Sequence, residues 1–230
     1  MNPQRRDFDG PEAQAEGLAL AVARDLRAAL TAQGRASLAV PGGTTPAPFL
    51  AALSGQTLDW SQVTVTLTDE RCVPSSASRS NQRLVQANLL QGPAAAAAFL
   101  PLYRDLPTAA AAAAAAALDL APLLPLDVCV LGLGEDLHSA SLFPGAQGLP
   151  DALAATAPPV VALRTPEGAE ARISLTLPVL QAARHPYLLI KGAAKLAAWE
   201  RVLEAGPLEQ APLRGLLDRP GAALTLYYTA

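Results

Sequence analysis

Short apolar runs that stop at a glycine-bearing turn leave this chain few architectures to adopt. Residues 37–40 run into Pro41-Gly42-Gly43-Thr44-Thr45-Pro46, and a helical pattern begins at Ala47. Residues 187–190 run into Lys191-Gly192-Ala193-Ala194-Lys195, and Leu196, Trp199, Val202 and Leu203 then follow at spacings suited to an inward helix face. A third run, 126–131, is broken by Gly132 and Gly134. Val63 to Leu67 alternates Val and Thr and ends on Asp69-Glu70-Arg71. Strands this short, separated by helical stretches, read as an α/β protein.

The helices have their own signals. Residues 11–33 carry Leu18, Val22, Leu26, Ala29 and Leu30 at helical spacing, and Gly34 ends them. Ser80 or Asn81 caps a helix that runs to about Leu90. Residues 108–118 are nearly all alanine, the best helix former. Residues 1–10 are polar and charged, without the apolar core of a signal peptide, and no element is predicted there.

Composition limits the partners. A chain of 230 residues that is 51% apolar has enough material for one large α/β core. A net charge of −3 supplies no basic field for nucleic acid, so an anionic ligand needs a local cluster of arginines and lysines. No run is long and apolar enough to span a bilayer. Cys72 and Cys129 have no metal-ligand spacing around them and read as free thiols in a reducing compartment. A soluble, cytoplasmic monomer is expected, with no nucleic-acid or membrane partner.

Chemistry gathers in the loops after the strands, where open α/β sheets place their sites. His138 is one of two histidines, on a loop after a buried run, and Asp136 lies two residues before it. An imidazole beside a carboxylate is suited to moving protons near neutral pH. The Gly42 to Thr45 turn is either a simple connection or an anion cradle of N–H groups and threonine hydroxyls at a helix start. Asp69, Glu70 and Arg71 at a strand tip either satisfy one another or offer an arginine to a ligand. Arg83 and Arg172 each have a surface or ion-pair role open to them as well as an anion-binding one. Lys195 sits in a first helical turn, where the dipole disfavours a cation unless an anion is bound. His185, at a loop-to-strand junction, reads as structural.

Gly132-Leu133-Gly134-Glu135-Asp136-Leu137-His138-Ser139-Ala140-Ser141-Leu142-Phe143-Pro144 resembles the GxGxDGHTASLFP signature of the 6-phosphogluconolactonases. Leu137 stands where that family has glycine, a residue suited to positive φ or close approach. Further motifs resemble the family in the same order. They are Pro41 to Pro46 (SGGSTP), Asp69 to Pro74 (DERxVP), Ser80 to Arg83 (SNxR), Arg172 to Pro178 (RxTLTxP) and Gly192 to Lys195 (GxxK). Pro41 replaces a small residue and removes one N–H donor. The resemblance runs from about residue 37 to 203.

The resemblance implies one α/β domain over residues 1–230, with a mostly parallel, Rossmann-like sheet flanked by helices on both faces. It implies hydrolysis of 6-phospho-D-glucono-1,5-lactone to 6-phosphogluconate in the oxidative pentose phosphate pathway, with no metal and no organic cofactor. In that reaction His138 acts as general base, Asp136 orients it, and Arg71 stabilises the oxyanion or the sugar end. Gly42, Gly43, Thr44, Thr45, Asp69, Arg83, Arg172 and Lys195 bind the sugar phosphate. The rival readings are a glucosamine-6-phosphate isomerase–deaminase and a sugar-phosphate-binding relative without catalysis. The chain has no GxSxG elbow for a serine hydrolase.

Overall fold

The computed structural model describes residues 3–166, 168, 170–219 and 221–230. Met1, Asn2 and Glu167, the last in the loop before Arg172, lie outside them.

The chain forms β1 (Gln4–Phe8), α1 (Pro11–Gln33), β2 (Ala36–Val40), α2 (Ala47–Ser54), β3 (Val63–Leu67), β4 (Asp69–Arg71), α3 (Asn81–Asn88) and β5 (Ala98–Phe99). It continues through α4 (Ala109–Leu120), β6 (Val128–Leu131), α5 (Leu149–Leu153), β7 (Val160–Arg164), β8 (Ala171–Leu175), α6 (Leu177–Ala182), β9 (His185–Lys191), α7 (Ala193–Leu203) and β10 (Thr225–Thr229). Seven strands make one sheet in the order β1-β10-β9-β6-β2-β3-β5, parallel at every pairing. All five residues of β2 and all four of β6 are buried. Side chains alternate between the faces of a strand, so a fully buried strand is covered on both faces. The α/β fold expected from the alternation is the one formed.

Local signals place the helices. Pro11 opens α1, and Gly34, at φ 70°, closes it with an N–H donated to the Leu30 carbonyl. Ser80 caps α3 by accepting the Arg83 N–H, and Thr108 caps α4 by accepting that of Ala111. In α4, Ala112, Ala113, Ala116 and Leu120 face inward while Leu118 is exposed.

Two elements differ from the sequence reading. The polar segment at the N-terminus forms β1, an edge strand paired with β10. Its side chains are mostly exposed, so no apolar periodicity announces it. Main-chain pairing holds it, together with Arg5 over the Tyr228 ring, Arg6 over the Tyr227 ring and Phe8 stacked on Tyr227. Charged residues suit an exposed edge. The Asp69–Arg71 segment, read as the tip of the preceding strand, is a strand of its own. With β8 and β7 it makes a second, antiparallel sheet in the order β4-β8-β7.

Chain direction fixes where a ligand sits. From β2 the chain moves outward to β3 and β5, then returns to β6 on the other flank of β2 and moves outward to β9 and β10. The order therefore reverses between β2 and β6, and the loops leaving their carboxyl ends diverge to open a crevice. Asp127, just before β6, secures this junction at the opposite end. Its buried carboxylate accepts the Ser37 N–H at 2.9 Å and the Ser37 hydroxyl at 3.0 Å.

Candidate active site

The crevice at the switch point is a cavity of about 480 Å³. The loop after β2 lines it with Gly42, Gly43, Thr44 and Thr45. The segment after β3 contributes Asp69 and Arg71, the loop after β6 contributes His138 and Phe143, and β8 contributes Arg172. The β9–α7 junction adds Lys191 and Lys195. Residues as far apart in the chain as Gly42 and Lys195 meet here because parallel strands deliver their carboxyl ends to one edge of the sheet.

The histidine loop is a tight hairpin. Gly134 N–H donates to the His138 carbonyl at 2.8 Å and Leu137 N–H to the Gly134 carbonyl at 3.0 Å. Leu137 takes φ 72°. This is the three-residue loop whose last position is left-handed, where glycine is the default residue. The positive φ inferred from the family's glycine is therefore present, and Leu137 adopts it with its side chain buried. Gly134 is needed for a different reason. A Cβ there would lie 2.1 Å from His138 Nδ1 and 2.2 Å from Asp136 Oδ1. Its bare backbone makes room for the pair.

His138 Nδ1 lies 2.5 Å from Asp136 Oδ1, and the His138 backbone N–H donates to the same oxygen at 3.3 Å. Partial burial works to raise the Asp136 carboxyl, but the His138 charge and its hydrogen bonds outweigh this, and the net shift is downward. Asp136 is thus a carboxylate at neutral pH and can only accept. That makes Nδ1 the donor, so in the neutral imidazole the lone pair is on Nε2. Asp136 does not line the cavity; it stands behind the histidine. The imidazole stacks on Phe143 with centroids 4.0 Å apart, and the Arg172 guanidinium lies 5.9 Å from the centroid of that Phe143 ring.

Arg71 and Arg172 are direct partners across the β4–β8 ladder. Like charges opposite one another on a sheet repel. Burial, and after it the Arg71 charge, pulls the Arg172 guanidinium below its ordinary value, against the pull of Asp69 and Glu170. The Nε atoms of both arginines are buried and have no hydrogen-bond partner among the described residues. Two half-buried cations with unspent donors on a cavity wall are what an anion or a ring of oxygens would satisfy.

The remaining charges of the Asp69-Glu70-Arg71 strand separate by role. Glu70 is buried and accepts the N–H groups of Arg71, Asn81 and Gln82 and the Ser80 hydroxyl, all at 2.7–3.0 Å. It braces the start of α3. Burial lifts its carboxyl above the ordinary value despite these donors. Asp69 accepts the buried Ser141 hydroxyl at 2.5 Å and keeps its face on the cavity. Arg71 Nη1 donates to the Arg79 carbonyl at 2.5 Å, which ties the guanidinium to the following loop.

Of the residues singled out in the sequence, His138, Arg71, Asp69, Arg172, Lys195 and the Gly42 to Thr45 turn converge on the cavity. Arg83 does not. It is exposed and donates to the Ser76 carbonyl at 2.6 Å, outside the lining. Sequence reasoning missed Asn81, Phe143 and Lys191, which all line the cavity. Asn81 joins two loops. It donates to the Asp69 carbonyl at 2.8 Å, and its amide packs so closely on Gly42 that a Cβ there would meet Oδ1 at 1.9 Å. The Gly42 to Asn81 contact is long-range, so only the motif adjoining Arg83 hinted at it.

Comparisons with known proteins identify the family. The family model described as glucosamine-6-phosphate isomerases/6-phosphogluconolactonase matches residues 9–225. A 6-phosphogluconolactonase of Rhizobium meliloti (strain 1021) is 46% identical over 230 residues, covering 99% of each chain. One from Pseudomonas aeruginosa is 43% identical over 217 residues, covering 94% of this chain and 90% of that one. The crystal structure of a 6-phosphogluconolactonase from Shewanella baltica superposes with a TM-score of 0.95 at 36% identity, over 100% of this chain and 98% of that one. The chain belongs to the glucosamine-6-phosphate isomerase/6-phosphogluconolactonase family.

Proposed function

We propose that this chain is a 6-phosphogluconolactonase, hydrolysing 6-phospho-D-glucono-1,5-lactone to 6-phospho-D-gluconate in the oxidative pentose phosphate pathway. The names of its full-length relatives support the activity. The observation that carries the mechanism is the His138–Asp136 pair at the cavity, with Nδ1 bound to a carboxylate; in the neutral imidazole Nε2 is then the base.

A lactone carbonyl is already activated, so the enzyme must position water, remove its proton and stabilise the oxyanion. Nε2 of His138 takes a proton from water as its oxygen bonds to the carbonyl carbon. Asp136 stabilises the imidazolium, as a carboxylate does beside a catalytic imidazole. When the tetrahedral intermediate collapses, the bond from carbon to ring oxygen breaks and Nε2–H returns the proton to that oxygen. Arg71 stabilises the oxyanion, and Asp69 accepts a sugar hydroxyl. The Gly42 to Thr45 turn and Lys195 hold the phosphate, and Arg172, opposite Arg71, contacts the sugar. Binding energy from that remote group fixes the carbonyl against the base. Arg83 serves this reading indirectly, by holding the loop that also anchors Arg71.

The test is hydrolysis of freshly made lactone, coupled to 6-phosphogluconate dehydrogenase, with the spontaneous rate subtracted and ammonia release from glucosamine 6-phosphate as control. His138→Asn is expected to lower kcat by a factor on the order of 10²–10⁴ while 6-phosphogluconate still binds. Equal rates in both proteins would remove His138 from the mechanism. Ammonia release without lactone turnover would replace the assignment.

A further inference from the structure

We propose that Lys191, the last residue of β9, is a second cation for the substrate phosphate and sets the preference of the cavity for a phosphorylated over an unphosphorylated sugar lactone. The inference rests on the lactonase assignment above and deepens it.

Lys191 pairs in register with Thr229 and ends the strand, so its side chain leaves the sheet at the carboxyl edge where the cavity opens. It lines the main cavity together with Lys195. It also lines a side chamber of about 180 Å³, shared with Thr44, Thr45, Gln14 and Phe49. Lys191 is therefore on the wall between the two spaces, beside both threonines of the glycine turn. Gly192, at φ 86°, then turns the chain into α7, whose first turn carries no acid.

No carboxylate lies within ion-pair distance of Lys191 or Lys195 among the described residues. The one acid in the lining of the main cavity is Asp69, and the side chamber has none. This end of the site therefore presents hydroxyls and two ammonium groups with no counter-charge. A phosphate monoester carries about −1.5 to −2 charges at pH 7. A single ammonium leaves it under-neutralised, and a second compact cation with rotatable donors completes the match. An unphosphorylated sugar presents only hydroxyls at this end and takes no such benefit.

The experiment uses Lys191→Met, which keeps the apolar stem and removes the charge. Titration calorimetry with 6-phosphogluconate is expected to show affinity weakened on the order of tenfold, the size of one charge-assisted hydrogen bond. In steady state the loss appears in KM rather than kcat. The ratio of kcat/KM for 6-phosphogluconolactone to that for glucono-1,5-lactone falls by the same factor, and Lys191→Arg recovers most of it. Unchanged 6-phosphogluconate affinity in Lys191→Met, or an equal loss for both lactones, overturns the role. The titration needs no turnover, so it separates the two claims. A wild-type protein that binds 6-phosphogluconate without hydrolysing the lactone refutes the activity alone, whereas one that does not bind it refutes both.

Discussion

Leu137 is a leucine in a backbone conformation made for glycine, and two substitutions there separate strain from burial. The left-handed conformation, φ 72°, costs an L-residue with a Cβ about 1–2 kcal/mol. Against this, the side chain is 5% exposed, and burying a leucine is worth about 1.5–3 kcal/mol. Leu137→Ala gives up the burial and keeps the strain, so it falls in the usual range for a buried leucine, about 2–5 kcal/mol. Leu137→Gly gives up the burial and the strain together, while the freer unfolded chain returns about 0.5–1 kcal/mol of that relief. The glycine variant is therefore expected to be the more stable of the two by about 0.5–1 kcal/mol, although glycine is ordinarily the worse replacement. Relative to the parent it loses about 2 kcal/mol, or roughly 4–8 °C in Tm for a chain of this size. Urea unfolding of the three proteins, with m-values checked for equality, measures the order. Both loop hydrogen bonds are main-chain, so the glycine variant is expected to keep lactonase kcat within a few-fold, on the order of threefold, at 25 °C. An alanine variant as stable as the glycine variant, or more so, would refute the claim that backbone strain is stored at this position.

Gly134→Ala places a methyl group against both members of the His138–Asp136 pair, at 2.1 Å from His138 Nδ1 and 2.2 Å from Asp136 Oδ1. Displacing the imidazole is expected to lower kcat on the order of 100-fold, with 6-phosphogluconate affinity retained in a binding titration. Glu70→Gln cannot accept from four donors as the carboxylate does, and is expected to cost about 1–3 kcal/mol at pH 7 by urea unfolding. The same variant has a pH signature. Burial raises the Glu70 carboxyl in the folded state, so the folded chain holds that proton more firmly than the unfolded one. The contribution of Glu70 is then fully present below its ordinary value of 4.5 and declines as pH rises through the folded-state value. The stability gap between parent and variant is expected to narrow from pH 4 to pH 7, and a gap that widens would reverse the sign of the shift.

Much of this protein was legible in its sequence because the signals are local. Periodicity, the cap at Ser80 or Asn81, the alanine run of residues 108–118 and the stop at Gly34 depend on neighbours a few residues away. The glycine turns after residues 40 and 131 and the Asp136-x-His138 spacing likewise marked the loops that carry chemistry. What the residues alone left open was decided by pairing over long separations. The polar strand β1 exists because β10 offers it an edge. The strand β4 exists because β8, a hundred residues on, pairs with it, and that pairing sets Arg71 opposite Arg172. Glu70 became a brace when the start of α3 brought it the Asn81 and Gln82 N–H groups and the Ser80 hydroxyl. Arg83, like Arg71, lies in a family-like motif, yet its helix points it to the Ser76 carbonyl. Lys191 had no motif at all and reached the cavity because β9 ends there. A residue's chemistry is written in its type, but its partners depend on register and strand order. In a parallel sheet those are fixed only when crossovers from distant segments bring all the carboxyl ends to one edge.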